Sequence, residues 1–267
     1  MSAVNRPYYE DLLREIESFY DRVAPVYPSL FGDYSRHQRS LAEKVAALCD
    51  LNRWRRVCDV ACFSGTLAAE LSAYRKLKVY GSDLNKRAIK AARMRKARVL
   101  SWRVGEWFNL SGVWRGHVFD VVVCTGNSIV HLPPGPRKRA LRGMRSILAS
   151  DGALIIDTYT EWGALEETTL SPCAARNDHG AISLVMVINE PDKQALLRTV
   201  YHLDCRATVD DDCWSPCNIV FSERTTHYPT DPRGLASELR RAGFTTVESL
   251  GTWGDEGKFS ALVARRG

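Results

Sequence analysis

Apolar residues recur at helical spacing over positions 8–19 and 37–50, which predicts two amphipathic helices. Between them runs "FYDRVAPVYPSLFGDY", an aromatic connector broken by proline and glycine. The pattern then changes. Short apolar runs at 56–61, 78–82, 99–103, 118–124 and 153–158 read as buried strands, with helical patterns at 66–74, 86–97 and 136–149 between them. Strand–helix–strand alternation with short links predicts an α/β fold built on a parallel, doubly wound sheet. After Asp157 the pattern changes once more. "AISLVMVINE", "ALLRTVYHLDCR" and "CNIVFSERTTHY" are long, β-rich and separated by turn signals, so they read as an antiparallel insert. The chain closes with "DPRGLASELRRAGF", a helix capped by Asp231 and ended by Gly243, and with strands at 245–250 and 258–264. The expected division is a helical segment over 1–50, a core over 51–162, the insert over 163–229 and the rest of the core over 230–267.

Composition narrows the class. The chain has 267 residues, 45% hydrophobic and 25% charged, which fits a soluble globular protein with a substantial core. No apolar run has the length of a membrane helix, so no membrane partner is expected. "MSAVNRPYYEDLL" has acids and aromatics where a signal peptide would have a basic patch and an apolar run, so the expected location is cytoplasmic. Cys58, Cys62 and Cys124 sit in strand-like runs as reduced, packed thiols. Cys213 and Cys217 in "CWSPC" lack a second pair at convincing spacing, so no metal site is expected. The net charge is +6, but its densest clusters, "KRAIKAARMRKAR" and "RKRALRGMR", have helical spacing and read as solvated helix faces. A nucleic-acid partner is therefore not expected.

The chemistry lies at the strand ends. In a doubly wound sheet, ligands sit at the carboxyl ends of the strands near the switch in strand order. The first predicted turn is "DVACFSG", which offers backbone N–H groups at a helix start. The second strand ends in "VYGSD"; Asp83, some twenty residues after the loop, suits a ribose diol because a carboxylate accepts both hydroxyl hydrogens. The third is followed by "VGEWF", where Glu106 could accept from an adenine amine and Trp107 could cover the ring. The fourth ends in "CTGNSIVHLPP" with Gly126, Asn127 and Ser128 at the same edge. A pyrophosphate-binding loop needs G-x-G-x-x-G, and only Gly65 is present; no P-loop motif occurs. A nucleoside cofactor without phosphates remains.

These residues resemble the class I S-adenosylmethionine-dependent methyltransferases, and among them the glycine N-methyltransferase-like small-molecule enzymes. The resemblance rests on "DVAC-x-x-G" at 59–65, Asp83, Glu106–Trp107 and "GNSIVHLPP" at 126–134. It implies a Rossmann-like seven-stranded sheet, an N-terminal helical cap and a substrate lid made by the insert. It also implies S-adenosylmethionine as cofactor, with Tyr20, Arg36, Asp59, Ala61, Cys62, Phe63, Gly65, Asp83, Leu84, Glu106, Trp107, Thr125, Gly126 and Ser128 around it. Arg36 in "GDYSRH" matches the arginine that contacts the methionine carboxylate. Tyr228 in "ERTTHYPTD" matches a tyrosine aimed at substrate.

Two departures stand out. Phe63 stands where the family has a glycine beside the cofactor, adding a ring and removing the freedom to take positive φ, so the loop is expected to be either weakened or reshaped with the ring turned aside; the polar groups kept at the other three strand ends favour reshaping. Tyr159 in "DTYTEWGAL" stands where glycine methyltransferases carry an arginine that clamps the substrate carboxylate. Glycine is thus not the expected acceptor. Tyr159, Glu161 and Trp162 suit a larger cationic or aromatic one. Arg176 could supply a counter-charge, and Tyr27, Asn127, His131 and Tyr228 complete the expected substrate set.

His131 reads equally as a base near the methyl group and as a structural histidine. Tyr20, in the connector, is the other candidate at the reacting centre. His179 and His227 fall in the insert, where either could be surface. Three functions follow: N-methylation of a small amine such as an amino sugar, an amino-acid derivative or a secondary metabolite; O-methylation from the same cofactor site; or adenosyl binding without catalysis, which Phe63 would favour. The partner expected is a small-molecule substrate, and a homo-oligomer is compatible with the sequence.

Overall fold

The computed structural model describes residues 6–28, 34–160, 169–176, 182–192, 195–205, 218–253 and 259–267. They form two compact units, one of residues 1–34 and 163–229, the other of 35–162 and 230–267.

The second unit holds a seven-stranded mixed sheet. Its strands are β1 (Arg56–Asp59), β2 (Lys78–Asp83), β3 (Ser101–Val104), β4 (Phe119–Cys124), β5 (Leu148–Tyr159), β10 (Thr246–Trp253) and β11 (Phe259–Arg265), in the order β10-β11-β5-β4-β1-β2-β3. β1 pairs in parallel with both β2 and β4, and β4 with β5; β11 runs antiparallel to β5 and to β10. The order reverses between β1 and β4, because the chain leaves β1 toward β2 and β3 and returns on the other side. In open α/β sheets ligands bind at such a reversal, beyond the carboxyl ends of the two strands that flank it, here β1 and β4.

Burial explains why these segments are strands. Val57, Cys58, Val121, Val122, Val123, Cys124, Leu154, Ile155 and Ile156 are fully buried, as central strands of a parallel sheet require. The second N-terminal helix, α2 (Tyr34–Leu51), packs Leu41, Ala42, Val45, Ala46 and Cys49 into the same core as Val57, Val121 and Ile155. α3 (Thr66–Ser72) and α4 (Lys86–Arg93) follow β1 and β2. α5 (Leu110–Val113) is a single turn, α6 (Pro134–Ser146) leads to β5, and α7 (Pro232–Ala242) leads to β10. Asp231 caps α7 through the Gly234 N–H at 2.6 Å and Gly243 ends it at φ +103°, as expected.

The first unit contains α1 (Arg6–Val23) and a four-stranded antiparallel sheet of β6 (Thr169–Arg176), β7 (Ile182–Asp192), β8 (Ala195–Cys205) and β9 (Asn218–His227), paired in chain order. Phe19, Val23 and Val26 pack on Val200 of β8, and Arg22 pairs with Glu223 of β9 at 3.0 Å. The helical segment expected over 1–50 therefore divides, α1 lying with the antiparallel sheet and α2 with the seven-stranded one.

Several elements differ from expectation: α1 runs to Val23, α2 starts at Tyr34, and β5 starts at Leu148, inside the helix expected to reach 149. β6 is an additional strand of the insert. α4 stops at Arg93 rather than near 97, and residues 107–113, where no element is expected, form a 3-10 turn followed by α5.

Candidate active site

The loop between β1 and α3 is tied down along its length. Val60 N–H donates to Val123 O at 3.0 Å, Cys62 N–H to Ser82 O at 3.1 Å and Gly65 N–H to Cys62 O at 2.7 Å. Ala61 N–H reaches Asp59 Oδ1 at 3.4 Å, and Phe63 N–H donates to Asp83 Oδ2 at 2.7 Å. The expected cradle of outward N–H groups is thus largely spent inside the protein. α3 has only seven residues, which limits its dipole too.

Phe63 takes φ +45°. This corrects the expectation that a phenylalanine here would avoid positive φ: the backbone keeps the conformation a glycine would adopt. Such a residue costs about 1–3 kcal/mol and persists only where its surroundings hold it. Asp83 is one such hold. Its second oxygen accepts the Asn85 N–H at 2.9 Å, so its carboxylate staples the loop to the end of β2. Each carboxylate oxygen can accept two hydrogens, so this staple is compatible with accepting a ribose diol.

Gly65 has φ +79°, and a Cβ there would lie 2.5 Å from Trp102 Cη2 and 2.9 Å from Ala92 Cβ. A Cβ at Gly81 would lie 2.4 Å from Trp102 Cζ3. Both glycines make room for one indole under the loop. Arg95, just past α4, donates Nε to Ser64 O at 2.5 Å and Nη2 to Thr66 Oγ1 at 2.8 Å. Sequence reasoning missed both residues. Trp102 carries no local signal, and Arg95 sat inside a run that reads as a solvated face.

Asp59 is buried beside this loop. Desolvation pushes its carboxyl up to about 7; the Ala61 N–H opposes the shift and the Asp83 charge adds to it. Cys62 and Cys124 are buried thiols whose pKa burial raises well above its ordinary value, so they pack as small hydrophobes.

At the next strand ends, Glu106 precedes the 3-10 turn Trp107–Asn109. The Trp107 indole N–H donates to Val60 O at 2.6 Å, which joins this turn to the β1 loop. Behind it, Gly143 of α6 lets the Trp107 carbonyl approach closely: an added Cβ would lie 2.0 Å from that oxygen.

The end of β4 is anchored to β5. Gly126 and Asn127, at φ +74° and +61°, donate their N–H groups to the two oxygens of Asp157 at 3.0 and 2.7 Å. Burial pushes Asp157 up to about 7 against those two bonds. Asn127 Oδ1 accepts the Tyr159 N–H at 3.2 Å, which commits its amide oxygen to β5 rather than to an acceptor. Ser128 Oγ donates to Thr125 O at 2.8 Å. His131 closes the 3-10 turn Ser128–His131 and is only 4% exposed. Tyr159 ends β5 with its ring edge-on to Phe259 at 5.8 Å, and Phe259 lies 6.1 Å from the His37 ring of α2.

Asp59, Ala61, Cys62, Phe63, Gly65, Asp83, Leu84, Glu106, Trp107, Thr125, Gly126, Asn127, Ser128 and Tyr159 thus lie at or just beyond the ends of β1 to β5. Arg36 is exposed in the first turn of α2. Tyr20, Tyr27 and Tyr228 belong to the other unit. There Tyr20 and Tyr27 pack edge-on at 5.7 Å, and burial with the nearby Tyr8 and Glu15 raises the Tyr228 pKa. Arg176 closes β6 opposite Ile182. His227, left open as a surface residue, is buried at the end of β9. Glu161, Trp162, His179, Cys213 and Cys217 lie outside the described residues. Among the described residues no cluster of His, Cys, Asp or Glu could hold a metal, and no helix is long and apolar enough to cross a membrane.

Residues 57–152, which carry these first four strand ends, match the family model of a methyltransferase domain. The chain is 33% identical over 147 residues to glycine N-methyltransferase of Mus musculus. That stretch is 50% of each protein, so the chain spans about half the length of the curated relative it matches. A solved amino pentose methyltransferase from Micromonospora echinaspora, with bound S-adenosylmethionine, superposes with a TM-score of 0.68 at 19% identity, covering 85% of this chain and 92% of that one. A sugar N-methyltransferase from Streptoalloteichus superposes with a TM-score of 0.67 at 22% identity, covering 85% and 87%. At these identities the likeness shows the fold of the methyltransferase domain and its companion unit, not the acceptor.

Proposed function

We propose that the protein is an S-adenosylmethionine-dependent N-methyltransferase that acts on a small amine-bearing metabolite other than glycine. One observation carries the cofactor half: polar groups for an adenosine stand in order along the ends of β1 to β4, on a sheet whose matched segment is a methyltransferase domain. When bound, S-adenosylmethionine supplies an electrophilic methyl group for in-line displacement by a neutral amine. Asp83 accepts the ribose hydroxyls while its backbone bonds hold it in place. Glu106 accepts the adenine amine, Trp107 bounds the ring, and Arg36 faces the methionine carboxylate. The burial of His131 supports the reading in which it orders the turn after β4 and does not abstract a proton. An amine that enters neutral then passes its proton to water after transfer.

The acceptor half rests on Tyr159. A tyrosine cannot make the bidentate contact that an arginine makes with a carboxylate. The Tyr159–Phe259 pair gives the end of β5 an aromatic character suited to a bulky or sugar-like amine. Two proteins of similar fold, an amino pentose methyltransferase and a sugar N-methyltransferase, support that class. The test has two stages. Calorimetry should find S-adenosylhomocysteine binding in the micromolar range; no binding at millimolar ligand overturns the enzyme assignment. Labelled cofactor should then give N-methyl products from a panel of amino sugars and amino-acid derivatives, with negligible turnover of glycine. Efficient conversion of glycine overturns the acceptor assignment, and products methylated on oxygen move it to a hydroxyl acceptor.

A further inference from the structure

We infer that Arg95 is a positioning residue for the cofactor loop, acting through Ser64 and Thr66 to hold Phe63 in its left-handed conformation. The inference rests on the methyltransferase reading for its effect on ligand affinity, but the clamp itself is a property of the protein alone.

Phe63 sits at φ +45° and Gly65 at φ +79°, so Ser64 lies between two left-handed residues. A turn of this kind reverts to ordinary geometry unless both flanks are fixed. On the incoming side, Asp83 accepts the Phe63 N–H at 2.7 Å. On the outgoing side the fixing groups come from the turn just past α4 and from β3. The Trp102 ring lies under Gly65, and the Arg95 fork takes the Ser64 carbonyl and the Thr66 hydroxyl at 2.5 and 2.8 Å, with a longer contact to Ser64 Oγ at 3.4 Å. Guanidinium suits this task because it presents several N–H donors in one rigid plane; an ammonium would hold these acceptors less directionally.

The local backbone agrees. α4 ends at Arg93, although the sequence continues with helix-forming Met, Arg, Lys and Ala. Arg95 N–H still reaches Ala92 O at 3.1 Å, but Ala97 N–H turns back to Arg95 O at 2.9 Å, and the chain leaves the helix there. Arg95 is otherwise exposed, and its guanidinium makes no ion pair with a carboxylate among the described residues. A solvated arginine would be free to wave; this one is spent on a main-chain carbonyl and a hydroxyl.

The test uses Arg95→Ala, Arg95→Lys, Phe63→Gly and the Arg95→Ala/Phe63→Gly double variant of the full chain. By calorimetry, Arg95→Ala should weaken S-adenosylhomocysteine binding about tenfold in the wild-type background, and Arg95→Lys should recover part of that loss. In the Phe63→Gly background, where glycine adopts the turn without strain, the same change should cost about threefold or less. In turnover assays the rise in KM for S-adenosylmethionine should exceed the fall in kcat. Equal affinity of Arg95→Ala and wild type, or an equal loss in both backgrounds, overturns the proposal. Hydrogen exchange on the ligand-free protein separates the two readings. The amides of Cys62, Phe63 and Gly65 should exchange at least tenfold faster in Arg95→Ala, and unchanged exchange overturns the clamp. A wild type that binds no S-adenosylhomocysteine overturns the methyltransferase reading instead, and exchange alone then decides the clamp.

Discussion

Gly65→Ala should destabilise the seven-stranded unit by roughly 2–4 kcal/mol, through two additive causes. The first is backbone strain: a residue with a Cβ at φ +79° costs about 1–2 kcal/mol. The second is collision. The new methyl would sit 2.5 Å from Trp102 Cη2 and 2.9 Å from Ala92 Cβ, and overpacking of this kind costs about 1–3 kcal/mol. Reduced entropy of the unfolded chain returns only about 0.4–1 kcal/mol. At about 2–4 °C per kcal/mol for a unit of this size, the melting temperature should fall by roughly 4–16 °C. Urea unfolding followed by far-ultraviolet circular dichroism gives the free energy directly. The decisive comparison adds Trp102→Leu. Removing the outer ring atoms relieves the collision but not the strain, so the two changes should couple favourably by about 1–2 kcal/mol rather than add. A Gly65→Ala protein within about 0.5 kcal/mol of wild type would refute the reasoning. So would strict additivity with Trp102→Leu, since the indole would then not be what requires a glycine here.

Three further outcomes are expected. Asp83→Ala should lose roughly 1.5–3 kcal/mol of S-adenosylhomocysteine affinity by calorimetry, as loss of charged hydrogen bonds does; unchanged affinity removes Asp83 from the ribose. Asp59 and Asp157 bind protons more tightly folded, at about 7, than their ordinary value of 3.8 allows in the unfolded chain, because burial disfavours their charge. The folded state therefore holds more protons across that window, and the urea midpoint should fall as pH rises from about 4 to 7; a midpoint that rises instead contradicts the shifts. Arg137, 1% exposed, donates twice to Leu132 O and pairs with Glu238 of α7 at 3.0 Å. Arg137→Met alone should cost about 3–5 kcal/mol by leaving Glu238 unpaired, while Arg137→Met with Glu238→Leu should recover most of it in the same urea assay.

The central strands were legible because a parallel strand buried on both faces must be apolar throughout, and Val57–Cys58 and Val121–Cys124 are. β6 was not legible. "TLSPCAAR" alternates poorly and contains Pro172, so it is a strand only by virtue of pairing with β7. The overlong reading of α4 has a similar cause. Its helical period continues to residue 97, but the chain leaves the helix after Arg93, where Arg95 contacts a loop some thirty residues away that no local pattern reveals. Asp83, Glu106–Trp107 and Gly126–Ser128 could be placed at one sheet edge because strand order alone puts them there. What each side chain is bonded to could not be read, since Asp83 and Asn127 spend their oxygens on backbone N–H groups of other segments.

Phe63 shows where such rules fail and why the failure is informative. Among the described residues only Arg53, Phe63 and Asn127 have positive φ without being glycine. Two of the three stand just past β1 and β4, the strands that flank the reversal of strand order. Each is held by a buried or half-buried aspartate that accepts its N–H at 2.7 Å, Asp83 for Phe63 and Asp157 for Asn127. A charged hydrogen bond stabilises by about 1.5–3 kcal/mol, the same order as the strain it opposes. The protein thus keeps a glycine-like turn without the glycine, at the cost of two strained residues and of one carboxyl, Asp157, whose pKa burial pushes up to about 7. Strain sustained at two neighbouring strand ends, and not scattered over surface turns, is what a preorganised ligand crevice requires. A phenylalanine in the loop is therefore compatible with a working cofactor site: the substitution changes the side chain presented there while the backbone path is retained.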